Sequence, residues 1–224
     1  MPQIDRRVSL LVAVILAATV ALGWRVIAQS DPWAAEMAVF EQQDRATPPR
    51  PGGIVFVGSS SIRFWDLKRS FPGMPALNRG FGGSEVADSV NHVDLLVLRH
   101  KPRAVVFYAG DNDIAGGKSP EQVAADFKAF VAKVHAALPA TRIGFIGIKP
   151  SLQRWRLVGQ MRQANDLIRK FCEADDRLAF IDVDGPMLGP DKTPRRELFV
   201  GDGLHMTPKG YEVWTALVRP FLEE

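Results

Sequence analysis

The sequence predicts an α/β fold built on a parallel sheet with helices over both faces. Three observations carry this. Short β-branched or aromatic runs alternate with longer helical patterns. The runs are continuously apolar rather than alternating, as expected of strands buried on both faces. Polar, flexible segments follow the runs, and in such folds ligands bind beyond the carboxyl ends of the strands.

The elements follow in chain order. Arg6 and Arg7 precede an apolar run from Val8 to Trp24, broken only by Ser9, Thr19 and Gly23. Basic residues before such a run mark an export signal. Val26-Ile27-Ala28 offers a cleavage position, with Arg25 against it. The run also approaches the roughly 17–25 residues needed to span a bilayer. An uncleaved anchor at residues 8–24 in the inner membrane is therefore the alternative. It would leave Arg6 and Arg7 in the cytoplasm and the body outside. Either way residues 1–28 read as a signal peptide or signal anchor, and the body as periplasmic or secreted.

Residues 29–52 read as a helix and a linker. Trp33, Met37 and Phe40 recur at helical spacing within Asp31–Arg45, and Ala46-Thr-Pro-Pro-Arg-Pro-Gly-Gly53 breaks the pattern. Residues 53–224 then form one domain. Its strand candidates are Ile54–Val57, Pro75–Asn78, Ala104–Ala109, Arg142–Ile148 and Leu178–Val183. Helical patterns cover Glu85–Leu98, Pro120–Leu138, Val158–Cys172 and Pro208–Leu222.

Composition bounds the function. A chain of 224 residues with 46% apolar content supplies one sizeable core. Of the net charge of +3, Arg6, Arg7 and Arg25 against Asp5 contribute +2, leaving about +1 for the body. That body has no electrostatic footprint for nucleic acid. Cys172 is the only cysteine, which excludes an internal disulfide and a CxxC site.

Chemistry is sought in the segments after the strands. Among four histidines, only His205 has a carboxylate three residues earlier in a Gly-containing loop, Asp202-Gly-Leu-His205. Asp202 can fix the imidazole tautomer and leave Nε2 to accept a proton; capping of the last helix is the plainer explanation. A base needs a nucleophile, and Gly58-Ser59-Ser60-Ser61 ends the first strand. Spacing leaves the choice among the three serines open, and a helix N-cap also uses serine. Acyl transfer needs oxyanion donors. Gly80, Gly82, Gly83 and Asn112 suit that need, although turn chemistry explains such glycines too.

Four blocks in order carry a resemblance: Gly58-Ser-Ser-Ser61, Asn78-Arg-Gly-Phe-Gly-Gly83, Gly110-Asp-Asn-Asp113 and Asp202-Gly-Leu-His205. Together they resemble the SGNH (GDSL-like) hydrolase superfamily from about Gly53 onward, and the wording is similar to a bacterial exported subgroup. The resemblance implies a flavodoxin-like three-layer α/β/α sandwich with a five-stranded parallel sheet. It implies ester or thioester hydrolysis with no cofactor and no metal. It gives Ser60 as nucleophile, Asp202 and His205 as its triad partners, and Ser60 N–H, Gly83 N–H and the Asn112 side chain as oxyanion donors. Ser59 stands where the usual first block has aspartate. Lys149-Pro150-Ser151 and Arg154-Trp155 are candidates for the substrate mouth, with Ser151, Arg154 and Trp155 as contacts.

Other motifs fail on spacing. Gly117-Lys118-Ser119 lacks the P-loop glycine five residues earlier, where Asn112 stands. Ser119-Pro120-Glu121-Gln122 reads instead as a capping box. A calcium loop from Asp111 would need ligands at Ala115 and Gln122. Gly80-Phe-Gly82 has Glu85 where a dinucleotide fingerprint needs its third glycine. Asp202 and His205 have no further metal-ligand motif beside them. The expected function is hydrolysis of a short acyl ester, an acetylated sugar or a lysophospholipid. The alternative is a catalytically idle protein of the same scaffold that binds envelope glycans or lipids.

Overall fold

The computed structural model describes residues 31–223, and the expected signal segment lies outside the described residues. No helix among the described residues is long and apolar enough to cross a membrane. Contacts divide the chain between Ala35 and Glu36, and the larger unit holds the sheet.

Five parallel strands form that sheet: β1 (Ile54–Gly58), β2 (Ala76–Gly80), β3 (Ala104–Tyr108), β4 (Arg142–Ile146) and β5 (Leu178–Ile181). Their order is β2-β1-β3-β4-β5. Gly58, Gly80 and Tyr108 lie in register, so the first three strands end together. Every residue of β1 and β3 is buried, as their unbroken apolar sequences require.

Alternate residues serve opposite layers. Phe56, Val106 and Tyr108 belong to a core with Trp65, Phe71 and Trp214. This core takes in the short helices α2 (Ser60–Arg63) and α3 (Leu67–Ser70) and the C-terminal α9 (Pro208–Glu223). Phe107 instead packs on Phe127 and Phe130 of α7 (Pro120–Ala137). α8 (Val158–Cys172) lies beside α7, with Phe171 against Phe127. The result is a parallel sheet between two helical layers, as the apolar strands predict.

Several boundaries differ from the sequence reading by a residue or a few, and three of the differences have a local cause. β2 begins after Pro75, whose carbonyl accepts from Ile54 N–H, and continues to Gly80. The predicted helix Glu85–Leu98 is two helices, α4 (Val86–Asn91) and α5 (Val93–Leu96), followed by a 3-10 turn. The break falls at His92, whose ψ of 15° leaves the helical range. β4 stops at Ile146 because Ile148 is diverted: its N–H and C=O both bond the Asn165 amide of α8. α6 (Asp111–Ala115) follows β3 directly. The first helix, α1 (Ala34–Ala46), carries Asp44, which pairs with the buried Arg79 at the end of β2.

Candidate active site

The turn that carries the three serines grows from the end of β1. Ser59 N–H donates to Tyr108 O of β3 at 3.0 Å, and α2 starts at the next residue. Ser59 and Ser61 are buried, 1% and 2% exposed, while Ser60 remains accessible. Only Ser60 reaches a histidine: its Oγ lies 3.0 Å from His205 Nε2. Of the three serines that spacing left open, Ser60 is the one that faces outward. β2 closes against this turn. A Cβ on Gly80 would stand 2.2 Å from Arg63 N, so only glycine fits there.

His205 and Asp202 sit in a tight loop before α9. An antiparallel bridge between Phe199 and Met206 closes it, and Val200 N–H donates to His205 O. Asp202 Oδ2 accepts from His205 Nδ1 at 2.5 Å. Its Oδ1 accepts from the N–H groups of Leu204 and His205 at 2.8 and 2.9 Å. Burial opposes the charge on Asp202, but the Leu204 N–H, the imidazole and the His205 N–H outweigh it. They lower its pKa to about 2. With Nδ1–H committed to Asp202, Nε2 is the acceptor for the Ser60 hydroxyl. Tyr211 of α9 donates to Ser61 O at 3.0 Å, which ties the helix after His205 to the serine turn.

The proposed oxyanion donors flank the same strand ends. Ser60 N–H opens α2, so it has no intrahelical acceptor. Phe81 N–H donates to Gly58 O, which draws the glycine-rich segment over β1. A Cβ on Gly82 would lie 3.9 Å from Ser60 Cβ. Gly83 has φ +83°, a conformation that glycine adopts without strain. Asn112, one residue into α6, donates to Ser84 O at 2.9 Å and so joins the third block to the second.

The loop after β4 packs against the segment that carries Asn112. Ser151 is 1% exposed and its Oγ accepts from Arg154 N–H. The Arg154 guanidinium donates to Asn112 Oδ1 at 2.9 Å and pairs with Asp111 at 3.3 Å. Trp155 begins a 3-10 turn, with Arg162 over its ring. Gln153 N–H donates to Gly203 O, linking this loop to that of Asp202. Lys149, fully buried, donates to Asp111 Oδ2 and Tyr108 Oη, both at 3.1 Å. Sequence reading singled out neither Asp111 nor Tyr108 as part of the site. Asp111 was visible only as a neighbour of Asn112.

A pocket of about 400 Å³ adjoins His205, walled by Phe64, Val200, Met206, Pro208 and Tyr211. Phe64 meets the imidazole edge to face at 5.1 Å. Phe64 and Val200 of its wall are both exposed.

Lys118 serves structure. It pairs with Glu85, Asp113 and Asp126, while Ser119 and Gln122 form the expected capping box of α7.

The fold has solved relatives. A Bacteroides thetaiotaomicron GDSL-like lipase superposes with TM-score 0.74 at 20% identity, over 84% of this chain and 98% of that one. An Enterococcus faecalis lipase/acylhydrolase gives 0.61 at 21% identity, over 77% and 95%. Axe2, an acetylxylan esterase of Geobacillus stearothermophilus studied as a catalytic mutant, gives 0.60 at 15% identity, over 78% and 94%. At these identities the likeness is one of fold. A sequence search among curated proteins matches none of them. The GDSL-like Lipase/Acylhydrolase family matches residues 60–213, from the accessible serine past the histidine loop. The chain belongs to that family of ester-bond hydrolases.

Proposed function

We propose that this chain cleaves a carboxylic ester through an acyl-enzyme on Ser60. The observation that carries the reading is the unbroken chain from Ser60 Oγ to His205 Nε2 and from His205 Nδ1 to Asp202. His205 takes the Ser60 proton as Oγ attacks the acyl carbon. The carbonyl oxygen becomes an oxyanion facing Ser60 N–H, Gly83 N–H and Asn112 Nδ2. The imidazolium then gives its proton to the leaving alcohol. Water enters, loses a proton to His205 and bonds to the acyl carbon; the acyl–Oγ bond then breaks, the acid leaves, and the imidazolium returns its proton to Ser60 Oγ. Every step uses groups of this chain.

The pocket beside His205 supports an ester with an apolar portion among the substrates considered. Arg6, Arg7 and the Val8–Trp24 run support export of the body, cleaved or anchored. The test is turnover of p-nitrophenyl acetate by residues 29–224. Ser60→Ala and His205→Ala should each lower kcat by about 10⁴-fold or more. Either variant keeping wild-type kcat contradicts the mechanism. Saturable binding without turnover by the unmodified chain would make it an idle binding protein.

A further inference from the structure

Asn112 presents a carboxamide whose two ends differ only in being acceptor or donor. An oxyanion donor must have its NH2 end facing the substrate. Two neighbours settle this from either end: the Ser84 carbonyl only accepts and the Arg154 guanidinium only donates. The guanidinium takes Asn112 Oδ1 at 2.9 Å, and Nδ2 is left to bond Ser84 O and keep one N–H free of that bond.

The surroundings of Arg154 are charged as well as buried. Lys149 and Arg154 are two cations sharing one carboxylate, Asp111. Burial opposes the ionisation of Asp111, but Lys149 and Arg154 overcome it and hold its pKa below the usual range. Burial, then the Asp111 charge, pushes the Tyr108 phenol well up, so it stays neutral. The cluster therefore carries a net positive charge directly behind Asn112. Its frame is fixed, since Asn165 holds both backbone groups of Ile148 just before Lys149. The Arg154 side chain is only 17% exposed, which leaves little of it for a substrate.

We propose that Arg154 is a positioning residue for the oxyanion site: with the Ser84 carbonyl it holds the Asn112 amide in its donating orientation, and it adds positive charge behind it. This rests on the esterase reading. Both effects favour the transition state, where the oxyanion exists, over the bound ester.

The experiment compares kcat and KM on p-nitrophenyl acetate for Arg154→Met, Arg154→Lys, Asn112→Ala and the double variants. Arg154→Met should lower kcat roughly 10–100-fold with KM within about twofold. Asn112→Ala should lower kcat roughly 10²–10³-fold. Adding Arg154→Met to Asn112→Ala should cost less than about threefold more, because the two act as one unit. Arg154→Lys, which keeps the charge, should retain more kcat than Arg154→Met. If Arg154→Met fails to fold, Arg154→Lys carries the same cycle with Asn112→Ala. A raised KM with unchanged kcat would make Arg154 a substrate anchor and overturn the proposal. Fully multiplicative losses in the double variant would overturn it too. Turnover that does not depend on Ser60 sinks the esterase reading itself. Ser60-dependent turnover with unchanged kcat in Arg154→Met sinks only this inference.

Discussion

Asp202 stays charged in acid. Its pKa is lowered to about 2, so it remains a carboxylate throughout the range in which an imidazole titrates. Activity should therefore fall with acid as one proton binds, with a limiting slope of one in log kcat/KM against pH. The stability linkage has a definite sign. Between about pH 4 and 2 the unfolded carboxyl holds a proton that the folded one refuses. Stability from this group is present above that window and is lost as pH falls through it. Half-exposure of the side chain reduces the size of the effect. Denaturation midpoints at pH 5 and pH 2.5 check it: Asp202→Asn should lose less between them than the unmodified chain. Equal losses would contradict the hydrogen-bonded carboxylate. At this scale the Asp202–His205 contact was legible, because a local loop carries both. Which of the three serines lies against His205 was not legible from spacing, because burial separates them. The Tyr108–Lys149 and Lys149–Asp111 contacts join residues 41 and 38 apart, a separation that no local pattern reports.

The elements place the chemistry at strand ends by close approach of backbones. β1, β2 and α2 meet where a side chain at Gly80 would collide with Arg63 N at 2.2 Å and Ile62 C at 2.7 Å. Backbone atoms cannot swing aside as a flexible side chain can. Gly80→Ala should therefore destabilise the fold by roughly 1–3 kcal/mol or more in urea denaturation. An unchanged midpoint would show that α2 can shift, and would undo the account of how the nucleophile is held. β1 and β3 were legible because their continuous apolar runs report burial on both faces. The split of Glu85–Leu98 was not, because its apolar stripe runs through the break at His92. The diversion of β4 was equally hidden, since Asn165 looks like an ordinary polar position on an amphipathic helix. In the fold it is 95% buried and satisfied by backbone.

In the whole molecule, the strand order reverses at β1. The chain passes from β1 outward to β2, then returns to the other side of β1 as β3. The crevice between the ends of β1 and β3 is where such sheets bind ligands. Ser60 leaves β1 there and Asn112 leaves β3 there. Asp202 and His205 arrive from beyond β5, brought back by the Phe199–Met206 loop and held by Tyr211 on Ser61. The sequence shows the first two as post-strand segments, while the return of the third is a property of packing. The central claim is that this convergence activates one serine. Intact mass and peptide mapping of residues 29–224 after treatment with a fluorophosphonate tests it most directly. The account predicts a single adduct, on Ser60, that His205→Ala abolishes. An adduct on Ser59 or Ser61, or none on the folded protein, would contradict it.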